Sequence, residues 1–84
     1  MNLSDHLYIF NHIISNGEKK AGKFHLNALS AWHDLDGYTC YIGYKELILS
    51  LYFHGRFSYD YTQDDTFKEF DSLINNSISE LKVS

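Results

Sequence analysis

From Tyr38 to Phe53 the apolar side chains fall on alternate positions. Tyr38, Cys40, Ile42 and Tyr44 alternate with Thr39, Tyr41 and Gly43, and Leu47, Leu49, Leu51 and Phe53 alternate with Ile48, Ser50 and Tyr52. A period of two sends successive side chains to opposite faces of a strand, so each run fills one face of a sheet. Runs this close in the chain are hairpin partners. Phe57, Tyr59 and Tyr61 alternate with Ser58 and Asp60 in the same way, and Leu29 and Ala31 before Trp32 do so more weakly. This pattern predicts a four-stranded antiparallel meander.

On either side of the meander the period becomes helical. Leu3, Leu7, Phe10 and Ile14 share one stripe with Ile13, which predicts a helix over 4–16 with Ser4 as N-cap, Asp5 at the positive end of the dipole and Gly17 as a left-handed C-cap. GEKKAG, residues 17–22, reads as a solvated connector. Thr62 starts a second helix, with Asp65 as a capping-box acid and Asp64 in the first turn. Phe67, Phe70, Leu73, Ile74, Ile78 and Leu81 give that helix one apolar face. The expected fold is α+β: a single domain, 1–84, of helix, four strands and helix, with both helices on one face of the sheet.

The turns can be tested against the alternation, because a slip of one residue would swap the faces of a whole strand. Asp36-Gly37 is a strong two-residue hairpin signal that pairs Leu35 with Tyr38, His33 with Cys40 and Trp32 with Tyr41. A Tyr44-Lys45 loop pairs Ile42 with Leu47 and Tyr41 with Ile48. A three-residue loop of His54, Gly55 and Arg56, or a tighter His54-Gly55 turn followed by a bulge at Arg56, sets Phe53 against Phe57 and Leu51 against Tyr59. Leu29, Ala31, Leu35, Tyr38, Cys40, Ile42, Leu47, Leu49, Leu51, Phe53, Phe57 and Tyr59 then face the helices. Trp32, Tyr41, Ile48 and Tyr52 form a strip on the other face, where a second copy of the chain or another protein could dock.

Composition narrows the partners. The chain has 84 residues, a net charge of −4 and seven Lys and Arg in all, and its tightest basic run is Lys19, Lys20 and Lys23. A phosphate backbone is repelled by such a surface, so no nucleic-acid partner is expected. No apolar run approaches the roughly 20 residues of a membrane span. The N-terminus carries Asp5 and His6 where a signal peptide needs a basic stretch. These features and a single cysteine, Cys40, predict a cytoplasmic protein with no membrane partner.

The chemistry-bearing residues do not assemble a known centre. DLDG, residues 34–37, opens like a calcium loop, but the fifth position is Tyr38 and the twelfth is Lys45, where oxygen ligands are needed. The five histidines show no zinc spacing. His33 opposite Cys40 resembles an imidazole–thiol pair, yet both fall on the core-facing side with no third orienting group. No cofactor, metal or catalytic residue is therefore assigned, and a non-enzymatic module is expected. One polar cluster remains: Asp34, Asp36, His54 and Arg56 belong to two hairpin tips at the same end of the sheet, a possible small-anion or peptide site or only a surface ion pair.

GEK (17–19), FHLNALSA (24–31), DLDGYT (34–39) and LYFHGRFSYD (51–60) together resemble a small group of gammaproteobacterial proteins catalogued as a domain of unknown function. The resemblance implies a bacterial, soluble, cytoplasmic protein. It carries over no activity, cofactor or catalytic residue.

Overall fold

The meander reaches further toward the N-terminus than its apolar alternation. The structure, a computed structural model, describes residues 3–35, 37–52 and 55–82. Helix α1 (Leu3–Asn16) is followed by six strands: β1 (Glu18–Lys20), β2 (Lys23–Leu26), β3 (Leu29–His33), β4 (Thr39–Tyr44), β5 (Leu47–Tyr52) and β6 (Phe57–Asp60). Helix α2 (Asp64–Lys82) closes the order. The strands form one antiparallel sheet in sequence order. The expected four-stranded meander is corrected to six strands, because the supposed connector is a hairpin. Ala21 and Gly22 both take positive φ, 51° and 81°, as a tight two-residue hairpin turn requires. The edge strand it creates is the exposed Glu18-Lys19-Lys20, whose lysines discourage edge-to-edge pairing.

Two registers are also corrected, each by two residues. Ile42 pairs with Leu49 and Tyr44 with Leu47, so the β4–β5 turn is Lys45-Glu46, with Lys45 at φ 53°. Leu51 pairs with Phe57 and Leu49 with Tyr59. A shift of two preserves the faces, so Leu29, Ala31, Ile42, Leu47, Leu49 and Leu51 are buried as expected, while Phe57 on the edge strand stays 41% exposed. The β3–β4 register is the expected one, with Trp32 against Tyr41 and His33 against Cys40. Its connection is longer than a two-residue turn: Asp34 N–H donates to Thr39 O at 3.0 Å, and Gly37 N–H donates to Asp34 O at 3.0 Å. Leu35 and Tyr38 therefore ride in an exposed loop and leave the core set. Phe53 lies outside the described residues.

One buried cluster joins both helices to one face of the sheet. Ile9, Phe10 and Ile13 of α1 and Phe70 and Ile74 of α2 meet Leu29, Ala31, Ile42, Leu47, Leu49 and Leu51. The β4–β5 turn also grips α2 from outside. Lys45 pairs with Glu69 at 2.7 Å, and Tyr44 OH donates to the same carboxylate at 3.0 Å. Glu46 accepts the Thr62 N–H at 3.1 Å, and the Thr66 hydroxyl also donates to it. Helix α2 starts at Asp64, two residues after the predicted Thr62, whose amide is held by this carboxylate.

Candidate functional site

With both helices on one side, the other side of the sheet is left open. Strand pairing defines its rows. Lys20, Lys23, Trp32, Tyr41, Ser50 and Ser58 fall in one row, and Ser30, Gly43, Ile48 and Asp60 in the next. Trp32 and Tyr41 stack with ring centroids 5.4 Å apart and planes 20° from parallel. Lys23 Nζ sits 4.1 Å from the Trp32 centroid, within cation–π range. Tyr41 OH donates to Asp34 Oδ1 at 3.0 Å. The stack is thus tethered at both ends.

Tyr41 opposes Ser50 rather than Ile48, which opposes Gly43. The strip stays continuous through the glycine. A side chain at Gly43 would meet Trp32 Cζ3 at 3.1 Å and Ser30 Oγ at 2.7 Å, so the indole lies over β4 toward Ile48. Ile48 and Tyr52 complete the strip, each 37% exposed.

Of the four residues expected at the polar tip, Asp34 and Arg56 can be placed, and they stand apart. Asp36 and His54 lie outside the described residues. Asp34 belongs to a row that runs through Thr39 and Tyr52 to Arg56, via Asp34 N–H to Thr39 O, the Thr39–Tyr52 pair and Tyr52 N–H to Arg56 O at 2.8 Å. Three strand spacings, about 14 Å, separate Asp34 from Arg56, too far for an ion pair. Among the described residues no group of three or more His, Cys, Asp or Glu could hold a metal ion.

His33 and Cys40 are paired as expected, without the electrostatics of a nucleophile. His33 Nδ1–H donates to Asp34 O at 2.8 Å rather than engaging the thiol. Burial and the nearby Asp34 carboxylate push the Cys40 thiol pKa up, which favours the protonated form.

The titratable group that sequence reasoning missed is His6. It is only 1% exposed and shares a 2.8 Å hydrogen bond between Nε2 and Tyr59 OH. Its ring meets Phe57 edge-on at 4.8 Å, and its Nδ1 is buried with no partner among the described residues. Its place beside Leu3, Leu7 and Phe10 was visible in the helical period, but a histidine on an apolar stripe reads as surface. Burial and the chain's N-terminus lower the His6 pKa below 6.5, opposed by Asp5 on its own helix and Asp71 on α2. Burial and Asp71 push Tyr59 up to about 12, so its phenol stays protonated near neutral pH.

A pH dependence follows. The unfolded chain binds the His6 proton below pH 6.5 more readily than the folded one, so its contribution is complete above 6.5 and is lost as pH falls through the lowered value. Glu46 and Glu69 are held below the usual carboxylate range by their hydrogen bonds and lose their contributions only in more acid solution. Urea unfolding from pH 7 to pH 5.5 should show falling stability, with a slope of at most about 1.4 kcal/mol per pH unit from this one proton. His6→Phe should flatten that slope; an unchanged slope would assign it to other groups.

A family model described as a protein of unknown function (DUF3081) matches residues 2–83. The chain belongs to DUF3081. Membership agrees with the resemblance in the strand and turn segments and extends it over both helices. No curated protein and no solved structure matches this DUF3081 chain. Among the described residues no helix is long and apolar enough to cross a membrane.

Proposed function

We propose that the protein is a non-enzymatic interaction module of the bacterial cytoplasm that pairs with a second copy of itself through the open face of the sheet. The observation that carries this reading is the Trp32–Tyr41 stack, continued over Gly43 to Ile48 and flanked by Tyr52, on the side away from both helices. Aromatic residues on a rigid sheet offer large contact area at little entropic cost. A second copy presents the same strip, so a two-fold axis through this face lays one Trp32–Tyr41 stack against the other. Cys40 is a free thiol, which suits a reducing compartment.

Light scattering should give the mass of a dimer. Trp32→Ala combined with Tyr41→Ala should weaken the dimer by at least about 30-fold, as loss of buried aromatic anchors does, with helicity retained. A wild-type chain that remains monomeric at high concentration overturns the reading.

A second reading, a small-anion or peptide site built from Asp34, Asp36, His54 and Arg56, is supported by strand pairing that sets the β3–β4 and β5–β6 connections at the same end of the sheet. Nuclear magnetic resonance titration with phosphate and small carboxylates should move the amides of those two connections. Silence there across the panel removes this reading.

A further inference from the structure

A cavity of about 180 Å³ opens between α1, α2 and the β2–β3 connection, on the helical side and away from the open sheet face. Ile9, Ile13, Leu26 and Leu73 make it apolar, and the side chains of His12 and Ser77, on the two helices, and of Asn27, on the β2–β3 connection, stand among its lining as polar groups. An apolar space of about 150 Å³ is enough for a benzene ring, and a pocket with an apolar body and a few polar groups is the general form of a small-molecule site.

The polar groups define what the ligand carries. Asn16 Nδ2 donates to His12 Nδ1 at 3.1 Å and to His12 O at 3.0 Å. Both amide hydrogens are thereby used, which fixes the orientation of the amide and makes Nδ1 an acceptor. With Nδ1 accepting, a neutral imidazole carries its proton on Nε2, so the ring offers a donor. Ser77 adds a hydroxyl that can donate or accept. A ligand oxygen matches this pair. Among the described residues no Lys or Arg lines the cavity, and the chain carries −4 overall, so a carboxylate would lose its hydration without a compensating charge.

We propose that this cavity binds a small neutral alcohol or ketone with a ring-sized apolar body, its oxygen held by His12 Nε2–H and Ser77. The site is independent of the sheet face, so a monomeric protein leaves it untouched.

The test is a backbone-amide titration of the full chain with phenol, toluene and benzoate. Phenol should give saturable shifts at Ile13 and along the β2–β3 connection, with toluene and benzoate binding more weakly. His12→Leu should weaken phenol by about five-fold, the effect of one neutral hydrogen bond, and change toluene by less than about two-fold. Ser77→Phe should fill the space and abolish both, with circular dichroism confirming intact helices. Four outcomes overturn the proposal: no saturable shift at all, shifts that survive Ser77→Phe, phenol binding indifferent to His12→Leu, or benzoate binding more tightly than phenol.

Discussion

Gly17→Ala should destabilise the protein by about 3 kcal/mol, although it adds a single methyl group at the end of a helix. Alanine is the better helix former, and elsewhere such a change stabilises by about 0.4–1 kcal/mol. Here the methyl has no space. A Cβ at Gly17 would stand 2.6 Å from Ile13 O and 2.9 Å from His25 O. Both obstacles are backbone. The first belongs to the last turn of α1, where Gly17 N–H donates to the same oxygen at 2.7 Å, and the second belongs to β2, which is paired to β1 through Glu18 and His25. Relief therefore has to separate the helix from the hairpin. For a chain of this size the cost corresponds to about 12–24 °C in Tm. Gly22→Ala is the control. Gly22 takes φ +81° with nothing within 4 Å of an added Cβ, so its cost is conformational alone, about 1 kcal/mol. Urea denaturation of the two variants side by side decides it: Gly17→Ala equal to or milder than Gly22→Ala would show that α1 does not press on β2 at this point.

The same glycine illustrates what a sequence does and does not disclose. As a residue after a helical stripe it reads as a left-handed cap, yet no positive φ marks it, unlike Gly22, Gly37 and Gly55. Close approach of two backbones comes from tertiary placement and leaves no local pattern. The β1–β2 hairpin was hidden for a different reason: Glu18-Lys19-Lys20 has no apolar face, and its turn is Ala21-Gly22 rather than Asn-Gly or Asp-Gly. Phe24 and Leu26 do alternate with Lys23 and His25, and that weak signal could have found β2. Periodicity assigned faces correctly because burial enforces parity. It could not distinguish registers two residues apart, and so it set Tyr41 against Ile48 when the pleat sets Ile48 against Gly43. The open-face strip survived the error because Trp32 spans the glycine. The polar tip was harder to read, because sharing one end of a sheet says nothing about how many strands lie between two residues. His6 was missed because residue type outweighed position: at 1% exposure it behaves as a core residue of α1.

Phe70→Ala should cost about 4 kcal/mol and lower Tm by about 16–32 °C. Phe70 is 0% exposed and is the largest of the fully buried side chains. Its ring lies 6.1 Å from those of both Tyr44 and Tyr59, so it joins α2 to β4 and to β6, and through the Tyr59 hydroxyl to His6 on α1. Truncation removes the transfer energy of the ring and leaves a void that aromatic neighbours on a paired sheet cannot collapse to fill. A chain of this length has a total stability of roughly 4–13 kcal/mol, so the loss takes between about a third and all of it. Phe67 supplies the comparison from the same helix. It is only partly buried and stacks on Tyr61 at the rim, 5.0 Å between centroids, so Phe67→Ala should cost less than half as much. Phe70→Leu, which keeps most of the volume, should cost about 1.5 kcal/mol or less. Thermal unfolding of the three variants orders them, and Phe70→Ala proving no worse than Phe67→Ala would mean that α2 rests on the surface of the core instead of completing it.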